Sequence, residues 1–329
     1  MAQRTVNIGI GNQVVQNDFD AMPIYKEMKE VTDDYGNKFI RIPKFYIHKE
    51  NTAGKLAIRI SKEPIAGGYL PHCFYDHVAN KELPYVDVGK YLASLSTDGK
   101  RLESKSGAQP LTARSIEGCR LLSKANGAGY QQLDIHVFDV MQCLIYVEFA
   151  TINSQEIHPG YTGATETGTV LTGGTDGVVA SSGAMGTGGT HQFMYRGIED
   201  PWGHLMQYID GVSTMGTQVW VCKDARGYAS DVFASPYEKL GYASLGTNGW
   251  ITEMGYDPKH PYAQLPTKVG GGGTTYYADY YYPGTGPRIA RVGGISSINH
   301  YAGLTYWVFN IGATSASLDT TGRLVRKPM

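Results

Sequence analysis

Two stretches of the chain repeat apolar residues at a helical period, and much of the rest does so at a period of two. The strongest is 134–151, DIHVFDVMQCLIYVEFAT, apolar almost all the way round a helical wheel. That pattern predicts a helix buried on every side rather than laid on a surface. Asp134 is placed to cap its start, and Asn153-Ser154-Gln155, which follows at once, to cap its end. A shorter helix is predicted over 112–125. Thr112 is its candidate N-cap, and Ile116, Cys119 and Leu122 recur on one face. Asn126-Gly127 stops it, since both residues tolerate the left-handed conformation.

Strand patterns surround these helices. Residues 39–47, FIRIPKFYI, alternate before Pro43 and join 28–32 through Asp33-Asp34-Tyr35-Gly36-Asn37, a run of turn formers. The two segments are predicted to form a hairpin. Residues 56–61 and 85–91 read as further strands, and 322–325 as a short one near the end. The combined pattern is α+β. Residues 1–30 hold an apolar patch at 6–10 and a short helical possibility around 24–28, and read as an N-terminal arm or attachment segment. Residues 31–329 read as one domain.

Glycine-rich stretches interrupt that domain. Residues 159–190 are Gly, Thr, Ser and Ala with almost no charge. A loop this long inside a compact domain is usually functional or mobile. Its apolar patches at 170–171 and 178–180 can form a short hairpin through 172–177. Gly270-Gly271-Gly272-Gly273 is a second joint, followed by Tyr276, Tyr277, Tyr280, Tyr281 and Tyr282. These tyrosines read either as an exposed binding cluster or as a strand with alternate side chains turned inward; Tyr277 and Tyr281 are the candidates taken from them. Residues 291–326 mix small polar residues with aromatics. Ser296, Ser297, Asn299, His300, Tyr301, Tyr306, Trp307 and Asn310 are the candidate binding residues. Tyr and Trp give rigid contact area, while Ser, Asn and Gly give adaptable hydrogen bonds. Trp307 reads equally as an anchor and as a buried core position.

Composition narrows the function. Charged residues are only 18%, against 42 Gly and 24 Tyr, a turn-rich and β-heavy profile. A net charge of −1 gives no reason to expect nucleic acid. No apolar run reaches membrane-spanning length, and the first residues hold no secretory core, so neither insertion nor export by a signal peptide is expected. Cys73, Cys119, Cys143 and Cys222 form no CxxC pair and read as buried thiols in a reducing compartment. His136, on the long helix, reads as a core residue. Phosphate-loop, dinucleotide, nucleophile-elbow and HExxH motifs are all missing. Asp319 is the one carboxylate in 291–326, too few for a calcium site. No catalytic residue, cofactor or metal is therefore expected, and the chemistry points to binding.

One resemblance sharpens this. Arg291, Gly293, Gly294, Ala302-Gly303, Trp307, Asn310 and Gly322-Arg323-Leu324 lie in the run RVGG…AGLTYWVFNIGATSAS…GRLV. Trp202, Gly203, Tyr208 and Asp210 lie in YRGIEDPWGHLMQYIDGV. With FIRIPKFYI, YVDVGKYLASL and FATINSQ, these resemble the C-type lectin-fold proteins of phage tails and diversity-generating retroelements, a group related to the formylglycine-generating proteins. The likeness covers roughly residues 28–326, with Ile295 standing where the family often has an aromatic. It implies a C-type lectin-like fold with two helices, twisted antiparallel sheets and long Gly-rich loops. It also implies a receptor-binding protein of the tail tip or fibre, made in the host cytoplasm and carried in the virion. The implied partners are a host cell-surface receptor (glycan or protein), other phage tail proteins and further copies in a homotrimer. A structural tail or baseplate role is the alternative. Formylglycine-generating enzymes need a cysteine pair late in the fold, and the last cysteine here is Cys222. The EPN and QPD tripeptides of calcium-dependent lectins are also missing. Such motifs speak for a fold more than for a function.

Overall fold

A single helix organises the core. In the computed structural model, which describes residues 4–9, 19–52, 55–162, 170–178, 184–185 and 192–328, the helix Ile135–Phe149 is buried at every position. Its ends follow from local chemistry. Asp134 Oδ1 accepts the N–H groups of His136 at 3.0 Å and Val137 at 2.8 Å. Ala150 ends the helix in the left-handed region, with φ of 54°. The helix packs against the strands Lys55–Ser61 and Met206–Met215, and Phe45, Ile58, Val140, Leu144, Trp202 and Ile209 belong to one core with it.

Two larger sheets lie around that core. The first has five antiparallel strands in the order Tyr130–Gln132, Leu324–Arg326, Tyr85–Gly89, Lys38–Pro43 and Lys29–Thr32. The last strand of the chain is thus inserted between two early ones. The second sheet runs Glu238–Ala243, Gln218–Val221, Met206–Met215, Pro287–Gly293, Gly303–Val308, Tyr280–Tyr282, Gly249–Met254 and Pro266–Val269, with Thr320–Thr321 beside Met206–Met215. Its pairing is antiparallel except where Tyr280–Tyr282 meets Gly303–Val308 and where Thr320–Thr321 joins. The architecture is mainly β with few helices, within the α+β class.

Several expectations are corrected. The short helix is Ile116–Lys124, capped by Ser115 rather than Thr112, because Ala113 turns at φ 54° and Arg114 bridges to Ser317. The expected hairpin forms, but its second strand stops at Pro43, and Tyr46–Thr52 joins Lys55–Ser61 in a separate sheet. Asn153 does not close the long helix; it caps its own short helix, Ser154–Ile157, by accepting from Gln155 N–H at 3.0 Å. Part of the N-terminal arm is built in: Arg4–Gly9 pairs with Lys55–Ser61, and Phe19, Ile24 and Tyr25 lie in the core.

The hairpin expected at 170–180 is not formed in its described part. Residues 174–177 make a turn, and Gly173 and Thr175 donate their N–H groups to the Glu199 carboxylate at 2.8 and 2.9 Å. Residues 179–180 of that hairpin lie outside the described residues. His136 is a core residue whose Nε2 lies 3.1 Å from the Cys222 carbonyl oxygen.

Candidate binding surface

The resemblance residues near the C-terminus are mostly framework. Arg323 is fully buried and uses its whole guanidinium. Nε donates to Gln207 Oε1 at 2.7 Å, Nη1 to the carbonyls of Gly89 and Lys90, and Nη2 to those of Glu199 and Asp200. Burial lowers its pKa to about 10, so it stays charged at neutral pH. Arg291, also buried, donates to Asp319 at 2.9 Å, Thr320 Oγ1 at 2.7 Å and Asn310 Oδ1 at 2.5 Å. Trp202 is buried with its indole N–H on the His158 carbonyl, and Asp210 accepts a two-pronged contact from Arg120.

Between these arginines runs the loop after Pro287–Gly293. Gly294 sits at φ 79°, and a Cβ there would come within 2.5 Å of the Ala302 Cβ, so both the turn and the close approach require glycine. A one-turn helix, Asn299–Tyr301, follows, with Asn299 at φ 48°. Its N–H is held by the Thr162 carbonyl at 3.2 Å. The loop closes at Gly303, where a Cβ would fall 1.9 Å from Asp279 Oδ1. Asp279 is a buried carboxylate without a cation partner among its hydrogen bonds. It accepts from Thr305 N and Oγ1, both at 2.6 Å, and from Ser154 Oγ at 3.1 Å. Burial raises its pKa to about 7, against the pull of those donors.

Aromatic rings converge on the outer face of this corner. Trp250 stacks with His300 (centroids 5.4 Å, planes 9° apart) and with Tyr301 (4.9 Å, 13°). Tyr280 meets Trp250 edge-on at 5.3 Å and Tyr301 at 5.0 Å, and Tyr282 lies 4.9 Å from Tyr280. Beneath them a small apolar cluster, Met206, Tyr306 and Val308, supports Tyr280, Tyr282, Ile295 and Ile298. Ile295 thus fills a supporting position. The Gly270–Gly273 joint runs alongside: a Cβ at Gly273 would lie 2.9 Å from the His300 ring and 3.1 Å from the indole of Trp250.

The candidate residues divide sharply. Ser297, Asn299, His300 and Tyr301 are exposed and lie together. Asn310 is exposed too, but its side-chain oxygen is taken by Arg291. Ser296, Tyr306, Trp307, Tyr277 and Tyr281 are buried and present no side chain to a ligand. Gly303–Val308 is buried on both faces, which takes Tyr306 and Trp307 in together, and in the tyrosine run strand alternation decides. Tyr281 points inward and bonds Ser244 Oγ at 2.8 Å, so its neighbours Tyr280 and Tyr282 point out. Trp307 packs edge-on against Phe138 of the central helix at 5.4 Å and is core. Trp250 was not among the sequence candidates, and from the tyrosine run the candidates taken were Tyr277 and Tyr281, whereas Tyr280 and Tyr282 face out. Alternation in Gly249–Met254, where Ile251 is buried, was the available signal for Trp250.

Other chemistry is sparse. The four cysteines are buried and unpaired, and burial pushes the thiol of Cys119 up to about 12. Among the described residues no three His, Cys, Asp or Glu side chains gather to hold a metal, and no helix is long and apolar enough to cross a membrane. A cavity of about 510 Å³ lies elsewhere, lined by Tyr75, His77, Leu83, Tyr130 and Lys327 among others. No protein-family model matches the chain, and no curated protein matches it.

Proposed function

We propose that this chain is a phage tail receptor-binding protein with a C-type lectin-like fold, which attaches the virion to its host through the Trp250–Tyr301 aromatic surface. The observation that carries the reading is the outward cluster of Trp250, Tyr280, Tyr282, His300 and Tyr301, mounted on paired strands over its own small core. Aromatic side chains held rigidly at a surface lose little entropy on binding and act as anchors. The loop that carries His300 and Tyr301 leaves the strand of the buried Arg291 and closes at Gly303 against the buried Asp279, an arrangement suited to presenting variable residues on a constant frame. Attachment makes and breaks no bond, and the proposal assigns no catalytic residue, metal or cofactor. The protein works as a homotrimer, so that weak single contacts combine into tight attachment.

Purified protein should bind intact host cells and compete with phage adsorption, and Trp250→Ala or Tyr301→Ala should abolish both while the fold persists. Light scattering should give a trimer. Wild-type protein that fails to bind or compete, yet assembles with tail proteins, would assign it to the tail structure instead.

A further inference from the structure

We infer that the aromatic surface takes an uncharged saccharide. This rests on the receptor-binding reading and specifies the ligand's chemistry. The first argument is the shape of the stack. The planes of Trp250, His300 and Tyr301 are within 9–21° of parallel. If the indole were sandwiched between the other two, their rings would lie two contact spacings apart, about 7 Å. They lie 5.0 Å apart. The indole is therefore not sandwiched between the other two, and the three near-parallel rings form one aromatic patch. Tyr280, edge-on to both Trp250 and Tyr301, and then Tyr282 extend the shelf. The electron-rich face of an aromatic ring attracts polarised C–H groups, and the apolar face of a sugar ring presents a row of them.

The second argument is charge. Residues 294–318 contain no Asp, Glu, Lys or Arg, and 270–286 contain only Asp279, which is buried. The nearby ion pair Lys268–Glu253, 2.8 Å apart, is internally matched. These two segments therefore offer a sulfated or acidic polymer no cation of their own, and a basic segment no exposed carboxylate. Arginine, the usual third anchor of protein–protein hot spots beside Trp and Tyr, is missing from both segments.

The third is the rim. Ser297, Asn299, Thr274, Thr275 and His300 are exposed around the shelf. Hydroxyl, amide and imidazole groups both donate and accept, which matches sugar hydroxyls whose roles are interchangeable. Rings below and two-way polar groups at the edge, with no net charge, are the complement of a neutral sugar.

The test combines a ligand panel with a cell assay. Monovalent binding is measured by titration calorimetry and tryptophan fluorescence on neutral oligomers of glucose, galactose, mannose, rhamnose and N-acetylglucosamine, with sialylated and sulfated oligomers as controls. At least one neutral oligomer should bind, with affinity unchanged between low and high salt. Trp250→Ala and Tyr301→Ala should each lower it tenfold or more, while the exposed-site control Leu121→Ser should leave it unchanged. Variant melting curves and circular dichroism confirm folding, and Trp250→Phe, which keeps a ring, should retain most binding. In parallel, host cells are treated with periodate, which cleaves sugar diols, or with protease. Loss of binding after periodate alone supports the inference. Loss after protease alone, with Trp250→Ala still defective, overturns it while leaving receptor binding standing. Preference for the sulfated or sialylated oligomers also overturns it. Neutral-oligomer binding that needs Trp250, without any binding to host cells, would keep the saccharide and remove the attachment role.

Discussion

Replacing Asp279 with Asn should change the pH dependence of stability in a direction set by its burial. The carboxyl titrates at 3.8 when unfolded and at about 7 when folded, because burial disfavours its charge. The folded state therefore holds a proton that the unfolded state releases across that window. The stability this contributes is full below pH 3.8 and is lost as pH rises through about 7. At ~1.4 kcal/mol per pH unit, the loss reaches about 4 kcal/mol by pH 8. Asn keeps an acceptor for the Thr305 N–H and hydroxyl, and its amide can donate to Ser154 Oγ, which already accepts from Leu304 N–H at 3.0 Å. Other carboxylates act with the opposite sign: Lys44 and Tyr46 hold Glu82 below its usual range. Only the difference between wild type and Asp279→Asn isolates the effect. Urea unfolding at each pH from 4 to 8, with the slope checked for constancy, should show the two proteins close at pH 4. The mutant should then pull ahead by several kcal/mol at pH 8. Parallel profiles, offset or not, would show that Asp279 is ionised in the folded protein throughout, and would refute the reasoning.

Four further outcomes are expected. Leu144→Asp places an unpaired carboxylate in the middle of a helix buried on all sides and should cost roughly 3–5 kcal/mol, read as a lowered urea midpoint or insoluble expression. Arg323→Met removes the guanidinium donors to the carbonyls of Gly89, Lys90, Glu199 and Asp200 and leaves the buried Gln207 Oε1 without its partner; although Glu199 N–H still serves Lys90 and Gln207 Nε2 still serves Asp200, it should cost a similar amount, roughly 3–5 kcal/mol, by the same measurement. Tyr301→Ala should leave the melting temperature within a few degrees while weakening ligand binding by roughly 2 kcal/mol. Tyr306→Ala, which removes a buried support, should lower stability by roughly 3 kcal/mol. If the two tyrosine variants behave alike, the division into surface and support is wrong.

The long helix was legible because its signal is local. A capping Asp and an unbroken apolar run specify both its start and its burial, whatever packs around it. The hairpin at 29–43 was legible for the same reason, since Asp33 can satisfy its own turn by accepting from Tyr35 and Asn37 N–H. The tyrosines at 280–282 were not resolved by their own sequence. A period of two fixes that neighbours point opposite ways but leaves open which set faces in. That choice is made by the parallel partner strand, where Tyr281 lies opposite Trp307. Alternation could turn Trp250 outward, but nothing local joins it to a site, because its partners, His300 and Tyr301, come from a distant loop. The helix start at Ser115 was misread because an isolated bridge to Ser317 holds the preceding residues out of the helix.

These differences share one physical cause, and it bears on how the surface can work. The residues that carry the family resemblance are the ones whose groups are consumed internally: Arg323 by carbonyls, Arg291 by Asp319, Thr320 and Asn310, Trp202 by the core, Gly294 by a turn and a close contact. A substitution at any of them leaves a buried group without a partner or a backbone under strain, so their identity is fixed by stability alone. Ser297, His300 and Tyr301 contribute little to that framework; their side chains lie at the surface over an already complete support of Met206, Tyr306 and Val308. The same strands therefore separate two demands. The fold can hold its shape while the exposed positions change, and a change there alters what is bound at little cost to what binds it.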